Sequence, residues 1–390
     1  MAKVIDLKIY GAGSGDSFLL QFDNESNIMI DMGYGYTYKK EIKNDFLNLS
    51  RQSEMIDLLM ITHIDKDHIS GAIPFFEDNG HNNEIIEVAE VWHNSYRHLQ
   101  FNKEKVDGID DKEKLILQNI IKSNQLNSQE DGIQQKSYKQ GSSLAQLLYQ
   151  YKYQWNSSFY NNAIRVNDFK TITIKDDINI LVLSPNKTKL DELASKWLKE
   201  LKKKKYNFDI SDEEIFDDAF EFYMRSLKEQ KSSIQKKSAK KDNLDNITLT
   251  DGQDKEPPNG SSMACIIEYK NKKLLFLGDA HEDIIYDNLT LLQENGYELN
   301  FDLVKLSHHG SNNNTSVRLV DLVESDTYII STSGASHNHP DLETIAKIVR
   351  KKTTYTKKLI FNYDLGIFSE IEPFKDKYNF ETLITNEYSI

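Results

Sequence analysis

The feature that most constrains this chain is an apolar run, Ile56-Asp57-Leu58-Leu59-Met60-Ile61, that empties into Thr62-His63-Ile64-Asp65-Lys66-Asp67-His68-Ile69-Ser70-Gly71. The run reads as a buried strand. Just past it, His63, Asp65, Asp67 and His68 fall within six residues. In an irregular loop, the alternate side chains at 63, 65 and 67 can converge while the one at 68 turns to a second focus, which suits a two-metal centre. The competing reading is a solvated charged loop, and a strand this apolar argues against it.

Composition narrows how a metal would be held. Cys265 is the single cysteine, so there is neither a disulfide framework nor a cysteine-rich zinc site, and the ligands must be His, Asp and Glu. With 390 residues, 38% of them hydrophobic, the chain is long enough for two or three units or for one large α/β domain carrying insertions. No stretch approaches the roughly 18 apolar residues of a membrane helix, and Met1–Tyr10 lacks a secretory signature. The expectation is a cytoplasmic protein with no membrane partner. A net charge of −13 argues against indiscriminate coating of nucleic acid but leaves room for a local basic groove.

Lys3–Tyr10 alternates as a strand does and is followed by Gly11-Ala12-Gly13-Ser14-Gly15-Asp16. A phosphate cradle would need Gly-x-Gly-x-x-Gly opening a helix, whereas these glycines alternate and run into a strand, Ser17–Phe22. The alternative is a loop whose missing Cβ atoms let the backbone pass close to another segment. Phe18–Phe22 and Ile28–Gly33 form a hairpin that ends in Asp31, and Cys265–Tyr269 with Leu274–Asp279 repeats the plan and ends in Asp279. This echo suggests two similar halves facing each other, residues 1–96 and 259–390.

Residues 97–258 differ in character. Leu190, Leu193, Ala194, Trp197, Leu198 and Leu201 recur at helical spacing, as do Ile215, Phe216, Ala219, Phe220, Tyr223 and Leu227, and both stripes read as packing faces. Ser142–Tyr153 supplies a further helix. The segment is expected to be a largely helical insertion or cap, with a strand return near 172–184 and a flexible loop near 228–258. After Asp279 helices and strands alternate, which together with the N-terminal pattern indicates an α/β sandwich.

The His-x-Asp-x-Asp-His motif resembles that of the metallo-β-lactamase superfamily, with Asp65 in place of the usual second histidine. The variant is similar to the ComEC-like branch, typified by the hydrolase domain of bacterial DNA-uptake channel proteins. Gly13-Ser14-Gly15-Asp16-Ser17-Phe18, Ile30-Asp31-Met32-Gly33, Leu277-Gly278-Asp279-Ala280, Leu306-Ser307-His308-His309-Gly310-Ser311 and Asn338-His339-Pro340 fit the same pattern in order. The resemblance implies a four-layer αββα sandwich and a hydrolase using two divalent metal ions, zinc or manganese, with a metal-bound hydroxide.

It also implies His63 and Asp65 on the first metal, Asp67, His68 and His339 on the second, and Asp279 bridging them. The family's usual further histidine is missing near Leu183-Ser184-Pro185-Asn186, so His308, His309 or His93 must complete the first site, and His308 is favoured. His309 would then be catalytic, as proton donor to the leaving group, alongside Asp67. His337 is a candidate substrate contact, while His81 and His281 read as surface or capping residues.

For substrate, the branch implies a phosphodiesterase acting as a nuclease, with DNA binding by the basic runs Lys199–Lys205 and Lys236–Lys241. Each run has a plainer reading, as a helix end or a solvated loop. Two alternatives stand beside it. One is a phosphodiesterase for a small molecule such as a cyclic nucleotide or a phosphorylcholine ester. The other is a metal-bound scaffold with vestigial catalysis whose insertion binds a protein partner.

Overall fold

The structure is a computed structural model that describes residues 3–100, 108–127, 142–166, 169–175, 177–206, 213–227, 243–336 and 338–390. Lys236–Lys241, His337 and residues 228–242 of the polar loop lie outside the described residues. The N-terminal strands are β1 (Ile5–Ile9), β2 (Ser17–Phe22), β3 (Asn27–Met32), β4 (Leu58–Met60) and β5 (Val91–Trp92). Then come β6 (Thr171–Ile174), β7 (Ile178–Ser184), β8 (Ala264–Tyr269), β9 (Lys272–Phe276), β10 (Asn300–Phe301) and β11 (Leu303–Lys305). The last are β12 (Glu324–Ser325), β13 (Thr327–Ile330), β14 (Lys357–Phe361), β15 (Phe380–Ile384) and β16 (Glu387–Ser389).

Two sheets hold most of these strands, in the orders β16-β1-β2-β3-β4-β5 and β15-β14-β13-β11-β9-β8-β7-β6. Their pairing repeats. β1/β2 and β2/β3 are antiparallel and β3/β4 and β4/β5 parallel; likewise β7/β8 and β8/β9 are antiparallel and β9/β11 and β11/β13 parallel. The hairpins β2–β3 and β8–β9 are the two stretches whose sequences echo one another.

Strand alternation sorts side chains into layers. Phe18, Leu20, Ile28 and Ile30 point between the sheets and meet Cys265, Ile267 and Phe276 from the other side. Their neighbours Leu19 and Met29 point outward beneath helices. On the far side, Ile266 and Leu275 face the helices Glu282–Glu294 and Leu342–Arg350. Helix, sheet, sheet, helix is the four-layer sandwich, and a largely helical insertion accompanies it. Among the described residues no helix is long and apolar enough to cross a membrane.

The insertion's helices extend the outer layer of the first sheet. Helix Lys187–Lys203 buries Leu190, Leu193, Trp197 and Leu201, and Asn186 caps it by accepting from Lys189 N. Helix Ile215–Ser226 buries Phe216, Phe220 and Met224, and the rings of Trp197 and Phe220 lie 5.9 Å apart. Both join one core with Leu59 and Ile61. Helix Asp111–Asn127 is not marked by the stripes read from sequence.

Helix Ile215–Ser226 also turns acids inward. Asp217 pairs with Arg97 at 2.7 Å, and Glu221 pairs with His93 at 2.9 Å and accepts from Leu144 N at 2.7 Å. Burial pushes the Asp218 carboxyl up to about 7 against the Ser143 hydroxyl that it accepts from, with Glu221, Asp217 and Glu214 adding to the rise. A folded value above the unfolded one, about 3.9, means a stabilising contribution that is present at low pH and lost as pH climbs toward 7. Asp218→Asn, which keeps an acceptor for Ser143, should therefore raise the melting temperature at about pH 8 and change it little near pH 4.5. Equal shifts at both pH values would contradict this.

Candidate metal centre

The first sheet's parallel strands end where the second sheet's do, and the loops beyond those ends carry the polar residues, as in open α/β sheets generally. Asp31 closes β3, with φ of +55°. Residues 62–68 follow β4, Asp279 follows β9, His308 and His309 follow β11, and His339 follows β13. The glycine loop between β1 and β2 meets this group from below: a Cβ on Gly15 would stand 1.9 Å from the Asp67 carbonyl oxygen. The loop enters a strand, so its glycines serve close backbone approach rather than a helix-borne phosphate cradle.

His308 and His309 have φ of +45° and +57°, a left-handed pair unusual outside glycine, in a tight turn at the site. Asp16, His68, Asp279 and His309 offer ligand atoms within 4.8 Å of one another, all from buried residues. Nε2 of His68, His309, His63 and His308 lie 3.4, 3.6, 3.9 and 3.9 Å from one atom, Asp279 Oδ2. Asp65 Oδ2 is 3.6 Å from His63 Nε2, and Asp67 lies 3.9 Å from Nε2 of both His68 and His309.

Each of these imidazoles is tied at its other nitrogen. His68 Nδ1 donates to Asp31 Oδ2 at 2.8 Å and His309 Nδ1 to the Ser331 carbonyl at 2.9 Å. Thr62 gives its hydroxyl proton to Asp31 Oδ2 at 2.7 Å and so accepts from His63 Nδ1 at 3.0 Å. His308 Nδ1 lies 3.1 Å from Asn314 Oδ1. With Nδ1 as the outward donor, Nε2 is the inward nitrogen that a metal would take in place of a proton, the arrangement of a metal-ligating histidine with an outer partner.

Electrostatics point the same way. Asp16, Asp31, Asp67 and Asp279 are buried, whereas Lys305 brings a single ammonium, bonded to Asp16 and 3.9 Å from Asp279 Oδ1. Burial alone would raise the Asp279 carboxyl, yet His309, His68 and His308 outweigh it and hold it well below the usual carboxylate range. Burial would likewise depress His68, but Asp279, Asp31 and Asp67 hold it well above its ordinary value. Asp16 is held at about 2, with Lys305 and then His309 overcoming its burial. The pocket thus attracts positive charge.

His63 Nε2, His68 Nε2 and Asp279 Oδ1 are buried without a hydrogen-bond partner. Left so, each would cost about 1–3 kcal/mol. Inward imidazole nitrogens and an excess of carboxylate fit a divalent cation, and the cluster is capable of coordinating metal.

Other histidines lie elsewhere. His93 is one residue past β5 in a register that sets it beside Ile61, so it shares the outward face and bonds Glu221 beneath the insertion. His81 Nδ1 contacts the Tyr151 carbonyl, and His281 sits at the head of helix Glu282–Glu294 against Glu256 O at 3.1 Å. His339 lies outside the four-residue cluster, its ring 5.4 Å from that of His308 and its Nδ1 3.5 Å from Asp341. The sequence reading missed Asp16 and Lys305, and it gave Asp31 and Asp254 no role at the site. For Asp16 a signal existed: an acid directly after Gly15, at the entrance to a buried strand.

Residues 10–134 match the family model described as Metallo-beta-lactamase superfamily. No curated protein matches the sequence significantly. Among solved structures, the chain is similar to the metallo-beta-lactamase fold protein YhfI from Bacillus subtilis, at 9% identity over all of both chains and a TM-score of 0.41. It is also similar to unliganded yeast PDE1, at 10% identity over all of both chains and a TM-score of 0.42. A long form RNase Z from yeast is 12% identical over 97% of this chain and 46% of that one, with a TM-score of 0.34. With the family match spanning the loop of His63, Asp65, Asp67 and His68, and two facing sheets between helical layers, the chain has the fold of the metallo-β-lactamase superfamily.

Proposed function

We propose that the chain is a metal-dependent phosphodiesterase acting on nucleic acid. The observation that carries the hydrolytic reading is the convergence of four imidazole Nε2 atoms, from His63, His68, His308 and His309, on Asp279 Oδ2 within 3.9 Å. We read two ligand groups that share Asp279, since His63 lies 3.6 Å from Asp65 while His68 and His309 each lie 3.9 Å from Asp67. His63, Asp65 and His308 would hold one cation, and Asp67, His68 and His309 the other. Two divalent cations would supply Lewis acidity at a phosphoryl group and a nucleophile at neutral pH. Asp65, Asp67 and Asp279 make the set oxygen-rich, which suits manganese as well as zinc.

This assignment gives His309 the ligand's place that the family resemblance implies for His339. His309 Nδ1–H is committed to the Ser331 carbonyl, so its Nε2 is an acceptor and suits a ligand. His339 lies farther out, its Nδ1 3.5 Å from Asp341, where it would contact the substrate rather than a cation. Lys305 holds Asp16 in place beside the cluster and offsets part of its charge.

Support for a nucleotide substrate comes from Tyr34 and Tyr36, half-buried rings that stack at 5.6 Å and 12° just past β3. Tyr34 OH meets Ser14 Oγ at 3.0 Å, and Asp67 is near enough to contribute to raising the Tyr36 phenol, chiefly raised by burial, to about 12. Such a pair can take a base against its face. Lys202–Lys205, exposed at the end of their helix, offer charge for a phosphate backbone. A second reading, a small phosphodiester, is favoured by the net charge of −13.

Asp67→Ala should abolish turnover of a chromogenic phosphodiester while the circular dichroism spectrum stays that of the parent; near-parental turnover would remove Asp67 from the centre. Tyr36→Leu should raise KM for a dinucleotide roughly 5- to 160-fold, the equivalent of about 1–3 kcal/mol of base stacking, and leave bis(p-nitrophenyl) phosphate unaffected. An unchanged dinucleotide KM would move the reading to the small diester.

A further inference from the structure

Asp254 belongs to residues 243–256, a segment strapped across the C-terminal half. Arg350 bonds the Leu244 and Ile247 carbonyls at 2.7 and 3.1 Å, and Lys347 pairs with Asp251 at 2.8 Å. Lys196, on an insertion helix, pairs with Glu256 at 2.8 Å. Gly252 lies so close to Asn313 that an added Cβ would stand 2.0 Å from its Oδ1. This seating puts the Asp254 side chain, 6% exposed, directly behind His308.

There Asp254 Oδ2 accepts from Asn259 Nδ2 at 2.8 Å and Asn314 Nδ2 at 3.0 Å, with His308 Nδ1 at 3.3 Å. Its Oδ1 accepts from Glu256 N at 2.9 Å. The amide of Asn314 has one workable orientation. Its Nδ2 faces three acceptors, Asp254 Oδ2, Asp279 O and Ala280 O, so its Oδ1 turns to His308 Nδ1 at 3.1 Å. That acceptor at 3.1 Å and the carboxylate at 3.3 Å, both nearer than the Asn259 amide at 3.4 Å, keep the His308 proton on Nδ1.

We infer that Asp254 is a positioning residue for one of the two cations: directly and through Asn314 it fixes the tautomer and aim of His308, presenting Nε2 toward Asp279. The inference rests on the two-cation reading above. Asp254 touches the histidine at the nitrogen away from Asp279, and so acts on the cation through His308 rather than as a ligand. It also gives the strap a purpose: a segment that ties the insertion to the C-terminal half supplies the outer partner of a ligand.

The test is titration of chelator-stripped full-length protein with Mn2+ by calorimetry, with the electron paramagnetic resonance spectrum of the bound ion as a second readout. The parent should bind two ions. Asp254→Ala should weaken one of the two roughly 10- to 100-fold and leave the other unchanged, and Asp254→Asn should weaken the same one less. The metal-free melting temperature of Asp254→Asn, close in shape to the parent, should stay near the parental value. Parental affinity at both sites in Asp254→Ala would overturn the inference. So would equal loss at both sites in a folded Asp254→Asn protein, which would mark a general structural role. A parent chain that binds no Mn2+ would overturn the two-cation reading and this inference with it.

Discussion

One buried carboxylate, that of Asp31, organises the histidine loop. It accepts from Thr62 N at 2.7 Å, Thr62 Oγ1 at 2.7 Å and His68 Nδ1 at 2.8 Å. Because the Thr62 hydroxyl spends its proton on Asp31, it is an acceptor toward His63, and one acid sets the tautomers of two imidazoles. Losing a buried carboxylate that receives several hydrogen bonds leaves their donors stranded. The left-handed conformation at Asp31 is one that aspartate tolerates better than branched residues do, and it turns the chain at the strand end where the carboxylate must stay.

The opposite half supplies the complement. Asp279, at the equivalent hairpin end, points its Oδ2 at imidazoles from both halves, and Lys305 ties Asp16 of the first loop to a strand of the second sheet. Neither half is a centre alone. The interface between the sheets, lined by Phe18, Ile30, Cys265 and Phe276, is what brings the two carboxylates to one place. Each inward histidine is fixed from behind by a different device: a carboxylate, a hydroxyl, an amide or a main-chain carbonyl. The site is therefore preorganised by the fold.

Much of this was legible in the sequence because it is local. The strand ending in His63–His68 follows from apolar runs and turns, as do the two hairpins ending in Asp31 and Asp279 and the helical stripes at Leu190–Leu201 and Ile215–Leu227. The unreadable parts are long-range. Asp16 and Lys305 are 289 residues apart, and nothing in either segment names the other. Gly15 announces a close approach without revealing that it is to the Asp67 carbonyl. Asp254 sits in a polar stretch read as a flexible loop, because local composition does not register anchoring by Arg350 and Lys347. His93 illustrates the limit of spacing: its place after a strand fits a site residue, and only strand alternation sends it to the other face. Helix Asp111–Asn127, with buried Leu117 and Ile120, went unread although Leu115–Leu117 and Ile120–Ile121 recur at helical spacing.

The central claim, that carboxylates and imidazoles from both halves hold two cations around Asp279, is tested most directly by anomalous diffraction. Crystals grown with Mn2+ and measured on both sides of the manganese absorption edge should show two peaks, flanking the Asp279 carboxylate, one nearest His63 and Asp65 and the other nearest Asp67 and His68. A map without a peak at Asp279, or with its manganese bound only elsewhere on the chain, would contradict it.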